Sequence, residues 1–225
     1  MSVVATAWRV AAKDLLIEVQ TGEILVSASL FALLVGVLSS LAFYVHQGTA
    51  AQLAPGVLWL VIAFAGVLAM ERSWSREREH SAMLSLWLAP IPRAGIYLGK
   101  VLGTLALLAF VEAILVVVIA VLFHLDLLAV LGPLTALLAL GTLGFVAAGN
   151  LFAALGLRTR TRELALSITV FPLVAPALLC AVVATRELLG GAPLAAIGAW
   201  LRILIAFDLV FLTAGLLLFE PLTTD

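Results

Sequence analysis

An all-α, polytopic membrane helical bundle, six transmembrane helices preceded by an amphipathic interfacial helix, is the fold this sequence predicts. Three observations lead to it. Of 225 residues, 64% are hydrophobic and only 11% charged, with a mean hydropathy of +1.25, too little polar surface for a water-soluble domain of this size. Apolar runs recur at lengths that suit helices crossing a hydrocarbon core of about 30 Å, whereas a barrel strand needs only ~10 alternating residues. The Lys and Arg residues gather in a few of the polar breaks, which is the asymmetry that sets orientation in a membrane.

The first 23 residues are too polar to span. On a helical wheel Val4, Trp8, Ala11, Ala12, Leu15 and Val19 share one face and Arg9, Lys13, Asp14 and Glu18 the other, as expected of a helix lying in the interface. Those charges interrupt the place where a signal peptide would have its apolar core, so no cleavable leader is expected. Residues 24–219 form the transmembrane domain, with spans at 24–45, 55–70, 96–123, 130–157, 164–185 and 199–219. Pro55 opens the second span, where its missing N–H would lack a partner anyway.

The longest polar interruption, 71–95, follows. Arg72, Arg76, Arg78, Arg93 and Lys100 lie in and beside it, and short helices are expected over 71–89 until Pro90 and Pro92 end them. In the fourth span Gly141, Gly144, Ala148, Gly149 and Ala153 let neighbours approach closely, so it should be packed on several sides. Pro172 and Pro176 predict a kink or break in the fifth. Residues 186–198 read as a loop or short re-entrant segment, and 220–225 as a tail. With six spans both termini share a side. Arg9, Lys13, the five central cations and Arg158, Arg160 and Arg162 stand on that side against only Arg186 and Arg202, which places both termini in the cytoplasm.

No G-x-x-x-x-G-K-[ST] occurs, so any ATP used must be held by another subunit. H-E-x-x-H, G-x-S-x-G and C-x-x-C-H are also absent, His46, His80 and His124 form no local ligand pair, and the single Cys180 excludes an intrachain disulfide. The chain is not expected to be an enzyme or to bind metal. Glu112, Asn150, Arg202 and Asp208 fall within spans, where a polar group is costly unless it faces protein or a wet cavity. They serve either interhelical packing or a polar substrate path. Trp59, Trp200, Tyr44 and Tyr97 read as interfacial anchors or packing groups.

Four blocks carry a family resemblance. They are APGVLWLVIAFAGVLAMER at 54–72, LWLAPIPRAGIYLGKVLG at 86–103, GTLGFVAAGNLFAALGLRTR at 141–160 and SITVFPLVAPALL at 167–179. In order and spacing they resemble the CcmB family, ABC-type permease subunits of haem exporters in cytochrome c maturation. Where family members often have Gly-x-Leu-Glu, this chain has Ser81-Ala82-Met83-Leu84, which loses both the Gly and the acidic group. The resemblance implies a separate CcmA-like ATPase, CcmC- and CcmD-like haem-handling membrane proteins, a periplasmic CcmE-like haem chaperone met indirectly, and a bacterial inner-membrane location. It implies haem as a transported or handled substrate, no covalently bound cofactor, and no nucleic-acid partner. His46 or His124 could then ligate a haem iron, though a lone loop histidine is ordinarily a solvated one. Glu71, Arg72, Trp74, Arg76, Glu77, Arg78, Glu79, Pro90 and Pro92 become an ATPase-coupling loop, and Pro172 and Pro176 a hinge. A lipid- or drug-exporting ABC-2 permease and a non-transporting scaffold for the ATPase share the same topology.

Overall fold

Ser2 opens the first helix of the computed structural model, which describes residues 2–42, 47–79, 91–155 and 162–224. Its hydroxyl accepts from the Ala5 N–H at 3.3 Å, capping α1 (Val3–Thr21). α2 (Glu23–Ala42), α3 (Gln47–Glu79), α4 (Arg93–Leu122), a 3-10 turn (Leu128–Val130), α5 (Leu131–Leu155), α6 (Arg162–Leu189) and α7 (Leu194–Thr224) follow. The described residues contain no strand, and α2 to α7 are each long and apolar enough to cross a membrane. α3 is the most enclosed span and α7 the least.

α1 meets α2 without a loop. Gly22 alone separates them, at a φ of +63° that a side chain would strain, and its N–H reaches Glu18 O at 2.7 Å. The chain goes on in the same sense along α4, Thr6 and Val10 of α1 lying against Gly95 and Gly99 and Gly36 of α2 against Val118, and the Glu18 carboxylate accepts from the free Leu25 N–H at 2.8 Å.

α1 packs along α4 over a stripe of glycines. A Cβ on Gly95 would sit 2.7 Å from Thr6 Cβ, and one on Gly99 would collide with Val10, so nothing larger than hydrogen fits. Thr6, Ala7, Val10, Ala11 and Glu18 are consequently the buried face of α1, while Val4, Trp8, Ala12 and Val19 stay exposed. The helical wheel groups Ala11 with that exposed set and puts Glu18 on a separate polar face. The reason for the difference is steric. Close approach selects small side chains, and the bulky apolar ones are left as an outer ridge.

α5 is the hub, in keeping with the small residues of the fourth span. Trp59 lies over Gly141, Phe207 and Asp208 over Gly144, and Met70 over Gly149. Trp59 also donates to Thr185 Oγ1 at 2.9 Å, which joins α3 to α6 beneath that contact. Tyr97, buried against Gly215 of α7, places its hydroxyl 3.0 Å from Ala147 O. Both aromatics are packing groups. Tyr44 lies outside the described residues.

Two expected breaks are not there. α3 runs through Met70 to Glu79 as one 33-residue helix with Pro55 inside it, because no Gly or Pro interrupts residues 67–79 and their polar groups find partners on other helices. The segment 186–198 is mostly helical. α6 continues to Leu189, and a turn at 190–193 with Gly191 at φ +81° delivers α7 from Leu194, five residues before the expected start. α6 is helical through Pro172 and Pro176, both exposed on its outer face.

Gly99→Leu should push α1 off α4 and cost ~1–3 kcal/mol of stability, read as a lower unfolding temperature and faster proteolysis within α1. Gly103→Ala should leave both unchanged, since the nearest atom to its Cβ is 3.5 Å away.

Candidate functional site

Where α1, α3 and α4 converge, three helices each place charge at one point. Lys100 of α4 is buried, with its Nζ 2.9 Å from Asp14 Oδ2, 2.8 Å from Glu77 Oε1, and 3.2 and 3.1 Å from the carbonyl and hydroxyl of Ser73. It also stands 5.4 Å from the centre of the Trp74 ring. Lys13, at the mouth, pairs with Glu77 and with Asp14 at 3.2 Å. Burial alone would lower the Lys13 ammonium, but those carboxylates outweigh it and hold its pKa above the usual lysine value. Lys13 is therefore charged at neutral pH.

A second group stands beside the first. Arg76 contacts Glu18 Oε2 at 3.0 Å, Glu23 Oε2 at 3.2 Å and Thr21 Oγ1 at 3.1 Å, and Arg72 contacts Glu23 Oε1 at 2.8 Å. Four cations thus meet the four carboxylates Asp14, Glu18, Glu23 and Glu77. Bidentate sharing by guanidinium fixes the α1–α2 elbow against the polar end of α3.

The expected coupling loop is largely this junction. Trp74 and Glu77 point inward, Arg76 is mostly covered, and Arg72 keeps half of its side chain exposed. Trp74 donates to Asn150 Oδ1 at 2.9 Å and its ring lies against Phe219, which in turn meets Tyr97, so the junction is keyed into α5 and α7. Glu71 is half-buried, and Pro92 caps α4 with its carbonyl accepting from Gly95. The side chains of Arg78 and Glu79, the whole of Pro90 and the Ser81–Leu84 departure lie outside what is described. Lys100, Lys13, Asp14 and Ser73 were not singled out as site residues. The Gly95-x3-Gly99-x3-Gly103 spacing was the signal that α4 receives a helix there, with Lys100 on the adjoining face.

The polar groups within the spans do not form one path. Glu112 accepts from Thr142, Asn150 is tied to Trp74 and Val146 O, and Asp208 is buried against Gly144 with neither oxygen hydrogen-bonded among the described residues. Glu112 and Asp208 face α5 at separate points, and Asn150 belongs to α5 and faces α3. Arg202 is a correction. It is exposed on α7 and bonds Gly198 O of its own helix at 3.1 Å, so among the described residues it neither packs between helices nor lines an interior. Its side chain leans toward the nearer helix end, as a snorkelling arginine does. His124 is exposed in the turn after α4 at a φ of 53°, and His46 and His80 lie outside the described residues. Among the described residues no three His, Cys, Asp or Glu side chains are grouped to hold a metal. Glu112 and Thr142 open onto a cavity of about 590 Å³ between α4 and α5 whose other walls, apart from Thr135, are apolar.

Six apolar spans with an ion-paired helix packed along the first turns of one of them define a multi-pass membrane protein. Residues 5–219 match the family described as CcmB protein. The chain belongs to the CcmB family. It is 30% identical over 184 residues to Heme exporter protein B of Paracoccus denitrificans (strain Pd 1222), covering 80% of this chain and 82% of that one. It is 27% identical over 203 residues to Heme exporter protein B of Bradyrhizobium diazoefficiens, covering 90% of each.

Removing Lys100 strands two carboxylates, so Lys100→Met should cost ~3–5 kcal/mol. Arg72→Ala, at a pair that is half in solvent, should cost at most ~1 kcal/mol. Thermal unfolding of the purified variants distinguishes the two.

Proposed function

We propose that this chain is the membrane permease subunit of an ATP-driven haem exporter serving cytochrome c maturation. Membership of the CcmB family over nearly the whole length, with relatives named Heme exporter protein B, is the observation that carries the reading. The absence of a P-loop assigns ATP hydrolysis to a partner of the CcmA type. The bias of ten of the twelve cations to one side of the six-span topology supports a cytoplasmic α1 end and cytoplasmic termini at the inner membrane, where that ATPase would dock. CcmC- and CcmD-like proteins and the chaperone CcmE would supply or receive the haem.

In this reading α3 is the coupling element. Its polar end, Glu71 to Glu79 with the residues on to Pro92, meets the ATPase, and the ion pairs to α1 and α4 make the docked unit stiff. Closure of the ATPase then moves α3 as a rod. Pro172 and Pro176, each of which removes an α6 backbone bond, supply the hinge. Glu112, Asn150 and Asp208 act as contacts of α5 that hold the moving helices in register.

Purification from native membranes, with every partner identified and a haem absorption spectrum recorded, tests the assignment. Recovery of an ATPase together with haem-handling proteins supports it. An ATPase with lipid- or drug-stimulated hydrolysis and no haem partners would instead favour a general ABC-2 exporter. Arg72→Glu with Arg78→Glu should abolish ATPase recovery while the chain stays folded, and unchanged recovery would sink the docking role. Pro172→Ala with Pro176→Ala should slow haem-chaperone turnover severalfold in an assembled complex, and full turnover would remove the hinge.

A further inference from the structure

The cleft of about 590 Å³ between α4 and α5 holds an acid that the bundle only half matches. Glu112 is 7% exposed. Its Oε1 accepts from Thr142, while its Oε2 has no hydrogen-bond partner among the described residues and is not sealed by packing, since the side chain lines the cleft. At 1.5 Å per residue Glu112 stands about 15 Å from the Leu122 end of α4 and about 18 Å from Lys100, the middle of a hydrocarbon core of about 30 Å. An acid at that depth is costly and marks a place where something is received. The walls set the shape of the ligand. Leu134 and Leu138 make a buried floor, and Ala113, Val117, Thr135 and Ala139 make an exposed mouth, so entry is sideways from the lipid. A volume of this size between helices, apolar apart from a few placed polar groups, is that of a small-molecule site. Along α4 it runs from Leu105 to Val117, about 18 Å, whereas a membrane-crossing helix needs about 30 Å.

We propose that this cleft binds a lipophilic amine, a compact apolar body with one protonatable nitrogen, whose N–H meets Glu112 Oε2 while Thr142 holds Oε1. The proton comes with either partner, from the Glu112 carboxyl or from the ammonium of the ligand, and lies between Oε2 and the nitrogen once they pair. Carboxylate and ammonium together bring no net charge into the bilayer, and their hydrogen bond is of the strong, charge-assisted kind. Other occupants fit less well. An acyl chain fills the space but leaves Glu112 unmatched, and a phospholipid headgroup stays outside the hydrocarbon core. A carboxylated molecule of the same shape sets like charge against Glu112. Binding of the amine is a property of this chain alone, whichever cargo the assembled complex moves.

The full chain in phospholipid nanodiscs, titrated with 1-pyrenemethylamine, 1-methylpyrene and 1-pyrenecarboxylic acid, provides the test. The readout is saturable energy transfer from tryptophan to pyrene above that of nanodiscs without the chain. The amine should saturate at a concentration about tenfold below methylpyrene, the worth of one charge-assisted bond, and the acid should show no saturable signal. Glu112→Gln, which keeps an acceptor for Thr142, should bring the amine to parity with methylpyrene at an unchanged unfolding temperature. Ala139→Phe, which fills the mouth from an exposed position, should remove saturable binding of both. Parity in the unaltered chain, or an amine preference that survives either substitution, would overturn the proposal. So would a polyleucine membrane helix with one central lysine that binds through Glu112 while the amine fails to saturate, because the cleft would then belong to a partner helix.

Discussion

The ammonium of Lys100 is the constraint on which the charged end of this protein depends. It is fully buried, so it must be matched, and its two carboxylates come from different helices, Asp14 from α1 and Glu77 from α3. No one of the three helices can shift without separating charges in a poorly solvated place. Around that point the other contacts follow. The glycines of α4 bring α1 close enough for Asp14 to reach, and Trp74, above the ammonium, carries the connection to Asn150 and Phe219.

The bundle beyond the junction is organised differently. Gly141, Gly144 and Gly149 of α5 each receive large side chains from a neighbour, and Phe145 of α5 is laid in turn over Gly66 of α3. In lipid there is little hydrophobic drive to associate helices, so close van der Waals contact and a few interhelical hydrogen bonds must do it. The Trp59–Thr185, Trp74–Asn150 and Thr142–Glu112 pairs are distributed to three different helix contacts, which leaves α3, α4 and α6 all keyed to one another or to α5. α3, at 33 residues and roughly 50 Å, and α4, through Lys100 at one end and Glu112 further along, take part in both systems.

The class of fold was legible in the sequence because a span is a local property, decided by the length and apolarity of one run. The hub role of the fourth span was legible for the same reason, since Gly141, Gly144 and Gly149 sit within one helix. What the sequence hid was pairing at a distance. Glu71 to Glu79 reads as a short helix apart from the second span because its charges have no local partners, and it continues α3 because Glu18, Glu23, Lys13 and Lys100 meet those charges from outside. The wheel of α1 ranked side chains by apolarity, whereas the contact with α4 sorts them by size. Arg202 shows the opposite limit. Its position within an apolar run implied a buried partner, yet a long flexible cation can lie on an outer face and reach toward the membrane surface.

The elbow at Gly22 has a further consequence for the order in which the molecule is built. α1 leaves the ribosome first, but the residue that locks it, Lys100, is made some eighty residues later, after two spans have entered the bilayer. Until then α1 is tethered to α2 by a single glycine and offers the membrane its ridge of Val4, Trp8 and Val19. An apolar ridge of that kind favours the lipid surface over water, and docking from there needs a short slide in two dimensions rather than a search in three.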